Sequence, residues 1–316
     1  MKNGLYGSRK RLPPPKLIPV PAAKPEDVVV DTDGSLITGT EDGQIFRLDP
    51  VTGKAVRIAR TGGRPLGIEF LPDRKLLICD SKRGLLAADP ATGKVEVLLD
   101  RVGGRQMRFC NNAAVASDGT VYFSDSSLRY GIDHYRRDVI ENRPSGRLLR
   151  FTPAKTVDVL IENIPFANGV ALAPDESFAV VAETAGYCLT RYWLKGPQTG
   201  RSDTFAADLP GMPDNLSTGS DGLLWVALAS PRDRRLESIL KLPYPLRKLL
   251  SRIPESVGPA VARSVLMMAF DFSGRCVHNL EGDAGSFHMV TGVREYQGTI
   301  YAGSIVESAI AAFRFA

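Results

Sequence analysis

Residues 28–58 read VVVDTDGSLITGTEDGQIFRLDPVTGKAVRI, and this stretch decides the fold. Four short β-rich runs, at 28–30, 35–38, 44–48 and 55–58, alternate with the turn sequences DTDG, EDG and DPVTGK. Asp and Gly between short runs of β-branched and aromatic residues are typical of hairpin turns. The stretch therefore predicts a four-stranded antiparallel meander.

The same pattern recurs along the chain. DPATGK at 89–94 repeats DPVTGK at 49–54, and a last group from residue 289 has only three runs before the chain ends. The groups between the first and the last begin near residues 66, 113, 169 and 215. Four-stranded units of about 40 to 50 residues are typical of a propeller. We therefore predict an all-β, six-bladed β-propeller, with an open pair of β-sandwich sheets as the alternative.

The segment that precedes the first run, residues 1–25, is basic and rich in proline. It carries six Lys and Arg residues and no acidic residue. Leu17-Ile18-Pro19-Val20-Pro21 is a candidate fourth strand for the last blade, because an outer strand tolerates proline. We therefore divide the chain into a basic segment, 1–25, part of which closes the last blade, and a single propeller domain, 26–316.

A basic insertion at about 232–264 interrupts the fifth unit, with eight basic residues against three acidic ones. Pro243 and Pro245 divide it into two parts, and each part has apolar residues at helical spacing. These apolar residues are Leu236, Ile239, Leu240, Leu246, Leu249, Leu250 and Ile253. We predict two short amphipathic helices, with three interpretations: a lid over one face of the propeller, a surface for a membrane or protein partner, or a hairpin packed on the blades for stability.

Composition and charge exclude several classes of protein. The 316 residues are 43% hydrophobic and 24% charged, which is ordinary globular composition. The basic excess lies in two separate segments, whereas a nucleic-acid groove needs one continuous basic surface. The longest apolar run, Leu223–Ala229, is too short to cross a bilayer. The N-terminal sequence has no apolar core typical of a secretory signal, so we expect a cytoplasmic protein that binds no nucleic acid.

Polar residues recur at the same phase of four units, just before or at the start of the first strand: Glu26, Asn111, Asn168 and Asp214. First strands line the axis of a propeller, so we expect these side chains to converge. Carboxylate and amide oxygens suit Ca²⁺ or another hard divalent cation. Each residue taken alone is typical of a turn, and their recurrence at one phase is what favours a metal site.

Five longer stretches resemble the strictosidine synthase-like family, and the resemblance covers nearly the whole chain from about residue 20. They are VYFSDSSLRYG (121–131), PSGRLLRFTP (144–153), PFANGVALAPDESFAVVAET (165–184), RYWLKGPQTG (191–200) and LPGMPDNL (209–216). That family is similar to the gluconolactonases, senescence-marker proteins and paraoxonases, which are calcium-dependent six-bladed propeller hydrolases. The resemblance thus implies the same fold as the turn pattern.

The resemblance also implies roles for individual residues. Glu26, Asn111, Asn168 and Asp214 match the metal ligands and the substrate-facing asparagine of the gluconolactonase-like branch. Asn215 falls where the paraoxonase-like branch adds a further ligand. Asn111 is expected to contact the metal or the substrate, and Asp214 is the candidate general base that activates water.

Two positions depart from the related families. Leu66 stands where the paraoxonase branch has a catalytic histidine, and Thr291 where strictosidine synthase has its catalytic glutamate, although Glu295 lies close by. A histidine-driven mechanism is therefore not expected. Arg108 and the 232–264 insertion are expected to position an anionic or hydrophobic substrate.

Three functions follow from these observations. The leading hypothesis is a Ca²⁺-dependent hydrolase of a lactone or small ester, in which water attacks a metal-polarised carbonyl of a small-molecule substrate. The alternative is a non-catalytic, calcium-bound propeller that docks a membrane or protein partner through its basic insertion. The third is a strictosidine synthase-like condensing enzyme that uses Glu295 as its proton shuttle.

Overall fold

The computed structural model describes residues 5–253 and 262–315, and within them the chain forms six four-stranded blades. Two short strands precede the first blade, β1 (Lys10–Arg11) and β2 (Lys16–Pro19). The first blade contains β3 (Val28–Val30), β4 (Leu36–Gly39), β5 (Gln44–Leu48) and β6 (Ala55–Arg60). The second contains β7 (Pro65–Phe70), β8 (Leu76–Asp80), β9 (Gly84–Ala88) and β10 (Val95–Leu99). A small hairpin follows, made of β11 (Arg101–Val102) and β12 (Arg105–Gln106).

The third and fourth blades follow the same antiparallel order. The third contains β13 (Cys110–Val115), β14 (Val121–Asp125), a helix α1 (Tyr135–Glu141), β15 (Gly146–Phe151) and β16 (Val157–Ile164). The fourth contains β17 (Ala167–Leu172), β18 (Phe178–Glu183), β19 (Cys188–Trp193) and β20 (Ser202–Ala206). Short 3-10 turns occur at Ile132–His134 and Thr184–Gly186.

The fifth blade carries the basic insertion, and the sixth has three strands of its own. The fifth contains β21 (Gly211–Thr218), β22 (Leu224–Pro231), helices α2 (Arg234–Leu240) and α3 (Tyr244–Leu250), β23 (Val265–Phe270) and β24 (Cys276–Gly282). The sixth contains β25 (Val290–Tyr296), β26 (Thr299–Ser304) and β27 (Ala309–Arg314). The all-β, six-bladed propeller predicted from the turn pattern is thereby confirmed.

The N-terminal strands attach to the last two blades. β2 pairs antiparallel with β27, and Ile18, which is buried, lies opposite Ile310. The pairing expected of Leu17–Pro21 is therefore observed, and it joins the two ends of the described chain in one sheet. β1 pairs in parallel with β24 as a fifth strand of the fifth blade, which the sequence analysis did not predict. A two-residue strand has too few residues to show a period.

The hydrophobic core consists of interfaces between neighbouring blades. Ile37 of β4 and Ile78 of β8 belong to one cluster between the first two blades. Equivalent clusters lie between each of the five remaining pairs of neighbouring blades. One of these pairs is the sixth and the first blade, where Ile310 packs with Leu36. Both faces of the central strands are buried, so these strands read as continuous apolar runs and not as an alternating pattern. This closed ring of packed blades holds the entries of the first strands around one axis.

Helices α2 and α3 confirm the two-helix prediction for the insertion, as far as the structure describes it; residues 254–261 lie outside the described part. Asp233 begins α2 by accepting a hydrogen bond from the Arg235 N–H at 2.7 Å, which is N-terminal capping. α1 was not predicted, since a seven-residue helix shows barely two turns of periodicity. No helix in the described ranges is long and apolar enough to cross a bilayer.

Candidate metal centre

The first strands of five blades carry the same irregularity. In β13, for example, Cys110 lies opposite Asp125 and Ala113 opposite Phe123, so three steps on one strand match two on its partner. This one-residue bulge also occurs in β7, β17, β21 and β25. The bulged pairs are Leu66-Gly67, Asn111-Asn112, Asn168-Gly169, Asp214-Asn215 and Thr291-Gly292. Bulges redirect side chains and are over-represented beside active sites.

The first residue of each bulged pair, together with Glu26 just before β3, lines one cavity of about 370 Å³. We call these six residues the cavity ring: Glu26, Leu66, Asn111, Asn168, Asp214 and Thr291. The structure thus brings together the four residues that the sequence analysis placed at one phase. Their chemical roles stay predictions.

Hydrogen bonds orient the two asparagines of the cavity ring. Asn111 Nδ2 donates to Ser126 Oγ at 2.9 Å, and Asn168 Nδ2 donates to Thr184 Oγ1 at 3.1 Å. Both hydroxyls belong to the strand or turn that follows in the same blade. The amide N–H groups are thereby satisfied by protein, whereas neither Oδ1 has a hydrogen-bond partner among the described residues.

Glu26 is oriented by the residue that follows Asp214. Asn215 Nδ2 donates to Glu26 Oε1 at 3.1 Å, while Glu26 Oε2 and Asn215 Oδ1 have no partner in the described chain. Asn215 does not line the cavity; its side chain lies next to Glu26. Each unpaired buried oxygen costs about 1–3 kcal/mol. A bound cation would satisfy such oxygens. Carboxylate and amide oxygens are also the ligands expected at the site of a hard metal ion.

Burial gives the two carboxylates unusual titration. Desolvation raises the pKa of Asp214 to about 8, with a further contribution from the charge of Asp27. Desolvation, and then the negative charges of Asp214 and Asp27, raise the pKa of Glu26 well above its ordinary value. The Arg64 guanidinium opposes this shift more weakly. Two buried carboxylates that repel each other at one point form a site that favours a cation.

The donor set decides which cation the site suits. Across the described ranges no group of three or more His, Cys, Asp or Glu side chains is arranged to hold a metal ion. The cluster is instead made of two carboxylates and amide oxygens. Such all-oxygen sites of modest charge suit Ca²⁺ better than Zn²⁺ or copper. The residues present therefore fit the predicted Ca²⁺ or a similar hard divalent cation.

Above the ring the cavity is apolar and roofed by helices. Leu66, Phe109 and Phe166 pack together with Val139 of α1 and Leu236 of α2. The Phe109 and Phe166 rings meet edge to face, with their centroids 5.3 Å apart. The insertion thus lies over one face of the propeller, as predicted, and its α2 helix forms part of a lid. α1, which sequence reasoning missed, supplies the other part.

Arg108 is not brought to this cluster. Its side chain is exposed and lines a neighbouring depression with Lys82, Arg101 and Arg105, outside the cavity. Arg136 of α1 and three arginines of the insertion line the cavity, and among the latter Arg232 is fixed by a hydrogen bond from Nε to Leu209 O at 2.9 Å. The basic composition of 232–264 indicated the arginines of the insertion. Where these arginines lie relative to the cavity depends on the fold of α2.

The departures noted in the sequence have clear structural counterparts. Leu66 and Thr291 both line the cavity, and Thr291 Oγ1 donates to Glu26 O at 2.8 Å. None of the described residues that line the cavity is a histidine. Glu295 lies four residues along β25, where its carboxylate accepts hydrogen bonds from the N–H groups of Asp221 at 3.0 Å and Gly298 at 2.8 Å. It stabilises a turn and does not line the cavity, so the condensing hypothesis lacks its acid there.

Comparison with known proteins agrees with these features. Residues 111–197 match the family described as Strictosidine synthase, and residues 10–48 match the one described as Strictosidine synthase-like, N-terminal. The chain is 36% identical over 301 residues to the adipocyte plasma membrane-associated protein of Salmo salar, covering 86% of this chain and 71% of that protein. It is 32% identical over 293 residues to Protein STRICTOSIDINE SYNTHASE-LIKE 6 of Arabidopsis thaliana, covering 90% of this chain and 77% of the relative.

Solved structures share the fold at low sequence identity. A gluconolactonase from Xanthomonas campestris superposes with a TM-score of 0.67 at 15% identity, over 97% of this chain and 91% of that one. A calcium-binding protein, regucalcin, from Agrobacterium tumefaciens superposes with a TM-score of 0.67 at 13% identity, over 98% and 97%. These structural likenesses show the propeller fold, whereas the two relatives of 36% and 32% identity show the family. The chain belongs to the strictosidine synthase-like family.

Proposed function

We propose that this protein is a divalent-metal-dependent hydrolase of a lactone or small ester. The observation that carries the proposal is the group of buried oxygens without partners among the described residues, Glu26 Oε2, Asn111 Oδ1 and Asn168 Oδ1, on residues that line one cavity together with Asp214. The gluconolactonase fold of the neighbouring structures is consistent with it.

The polar residues of the cavity ring would hold the metal. Glu26, Asn111, Asn168 and Asp214 provide carboxylate and amide oxygens, and Asn215 orients the Glu26 carboxylate through its amide N–H. When bound, Ca²⁺ supplies a Lewis acid that polarises the substrate carbonyl and stabilises the oxyanion formed by water attack. Asn111 would contact either the metal or the substrate.

Asp214 is the residue best placed to act as general base. The exposed fraction of the residue is 8%, against 1–3% for Glu26, Asn111, Asn168 and Asn215, so Asp214 is the most accessible of these five residues. In the ionised form it accepts a proton from the attacking water at a carboxylate oxygen. Hydrolysis of a lactone then leaves a hydroxyl group and a carboxylate on the product.

The cavity walls define the rest of the substrate. Leu66, Phe109 and Phe166 present apolar surface that excludes bulk water from the reacting carbonyl and packs against a hydrocarbon or aromatic group. Arg232, Arg234 and Arg235 line the same cavity and would attract the product carboxylate or an anionic substrate. The walls therefore favour a substrate with an apolar part next to its ester.

The experiment is hydrolysis of a panel of aliphatic lactones and aryl esters with Ca²⁺ present. For a substrate that the wild type cleaves, Asp214→Asn should lower kcat by about 100-fold or more, as for loss of a general base. Glu295→Gln, an equivalent change of a buried carboxylate outside the cavity, should leave kcat unchanged. Full activity of Asp214→Asn would refute the mechanism. Calcium binding without hydrolysis of any member of the panel would favour the non-catalytic propeller.

A further inference from the structure

Helix α3 docks on the propeller with its polar side. Tyr244 Oη and Ser251 Oγ donate to the buried Glu141 carboxylate at the end of α1, at 3.3 and 3.1 Å. Arg247 Nη1 donates to Asn142 O at 3.4 Å. These residues follow a spacing of three and four positions, so they form one stripe of the helix. The inner stripe of α3 is thus held by hydrogen bonds to the end of α1 and to the residue after it.

Leucine and isoleucine occupy the opposite stripe. Leu246 and Leu249 lie two residues beyond Tyr244 and Arg247, which turns them by about 200° from the inner stripe. Ile253 follows shortly after the end of α3. The exposed fractions of these three apolar residues are 48%, 64% and 49%. A helix on a soluble protein normally buries its apolar side and exposes its polar side. In α3 this arrangement is reversed, so the apolar stripe is exposed and faces away from the propeller.

The surroundings of the apolar stripe are basic. Residues 232–253 contain seven Lys and Arg residues against two acidic ones. Lys241, Lys248 and Arg252 are exposed on the same hairpin. This surface would attract an anionic partner over a wide area.

From these observations we propose that the outer stripe of α3 and the basic residues around it dock on an anionic lipid bilayer. Aliphatic side chains on one stripe of a helix, with Lys and Arg beside them, match the composition of helices that lie in the membrane interface. Protein interfaces are instead enriched in aromatic residues and depleted in Lys. The proposal does not depend on hydrolytic activity or on a metal.

Flotation with lipid vesicles tests the proposal on the full chain. Vesicles of phosphatidylcholine and phosphatidylserine, about 7:3, should carry the wild type at low salt, whereas pure phosphatidylcholine vesicles should carry at least about tenfold less. Leu246→Asp/Leu249→Asp should reduce binding to the anionic vesicles by at least about tenfold, because charged groups resist burial in the interface. Lys248→Glu/Arg252→Glu should reduce it and flatten its salt dependence.

The control variants for vesicle binding change exposed residues on other blades. Val51→Asp/Val56→Asp and Lys54→Glu/Lys94→Glu change exposed side chains of the first two blades and should float as the wild type does. Thermal unfolding should be the same for all variants. The proposal is overturned if the wild type does not float with the anionic vesicles, or if Leu246→Asp/Leu249→Asp floats equally well. A wild type that does not float and dimerises through the stripe in sedimentation velocity would also overturn it.

Discussion

Two adjacent rings of residues around the propeller axis differ in how their polar groups are satisfied. The cavity ring leaves buried oxygens of Glu26, Asn111 and Asn168 without partners among the described residues. The second residue of each pair forms a ring one step further along the chain, which we call the packing ring: Asp27, Gly67, Asn112, Gly169, Asn215 and Gly292. Its polar groups are mostly paired with the backbone of the neighbouring blade.

Asn112 shows how the packing ring holds the blades together. Its Oδ1 accepts a hydrogen bond from the Val170 N–H at 2.9 Å, in the next blade, and its Nδ2 donates to Asp27 Oδ2 at 3.4 Å. Asp27 Oδ1 accepts from the Val28 N–H at 2.8 Å. Glycine alternates with these polar residues around the ring. A Cβ atom at Gly169 would lie 2.2 Å from Leu216 N, so the glycine is what lets the two strands approach.

Positions one residue apart along the chain therefore have different roles, one in the stability of the fold and the other in ligand binding. Hydrogen bonds across blades in the packing ring stabilise the closed fold, whereas unpaired oxygens in the cavity ring raise its energy and are retained where a ligand is expected. Asn215 connects the two rings, because its Nδ2 bonds Glu26 while its Oδ1 stays unpaired.

The largest expected effect concerns pH and the cavity ring in chelator-treated protein. Burial raises the pKa of Asp214 from 3.8 to about 8, so between these values the folded state keeps a proton that the unfolded state loses. The free energy of unfolding therefore falls as pH rises through this window, by about 1.4 kcal/mol per pH unit and about 5 kcal/mol in all. Asp214→Asn should remove this contribution, while that of the buried Glu26 carboxylate remains, and denaturant unfolding from pH 4 to pH 8 measures the difference.

Two further measurements complete this test. Asp158→Asn, at an exposed carboxylate paired with Arg150, should keep the wild-type pH profile. Saturating Ca²⁺ should narrow the difference in stability at pH 8, since Ca²⁺ at about 100 times its Kd stabilises the wild type by roughly 2.7 kcal/mol and Asp214→Asn by less. Identical pH profiles for the wild type and Asp214→Asn would contradict the description of the cavity ring.

The next effect concerns the packing ring. Gly169→Ala places a methyl group 2.2 Å from Leu216 N and 2.5 Å from Asp214 O, and backbone atoms cannot move aside cheaply. We expect a loss of about 3 kcal/mol in the free energy of unfolding, with or without Ca²⁺, measured by denaturant unfolding. Gly285→Ala, where the nearest contact is a side-chain oxygen of Asp283 at 3.3 Å, serves as the control and should change little. A neutral Gly169→Ala would show that the blades are not packed so closely.

The sequence predicted the rings unevenly, for physical reasons. The fold and the common phase of Asn111, Asn168 and Asp214 followed from repeated turn chemistry, which is local. The bulges that redirect these residues are a property of strand pairing and leave no local signal beyond the glycine in some pairs. The roof depends on α1, which is too short to show a period. Arg108 was expected to position the substrate but lies outside the cavity, because closeness to Asn111 along the chain does not fix the direction of a side chain.

The smallest effects provide the sharpest comparison, because Asn111 and Asn112 are neighbours in one bulge with similar burial, 3% and 2% exposed. Asn112→Ala leaves the Val170 N–H without an acceptor, and we expect it to lower the free energy of unfolding by about 2 kcal/mol in chelator and in Ca²⁺ alike. Asn111→Ala removes one bond to Ser126 together with an oxygen that had no partner, so about 1 kcal/mol or less should be lost in chelator. In Ca²⁺, however, Asn111→Ala should lose part of the calcium-induced rise in melting temperature, while Asn112→Ala keeps it. If both variants respond to Ca²⁺ in the same way, the bulge does not divide a ligand position from a packing position, and the assignment of the cavity ring fails at the residue where the two rings are closest.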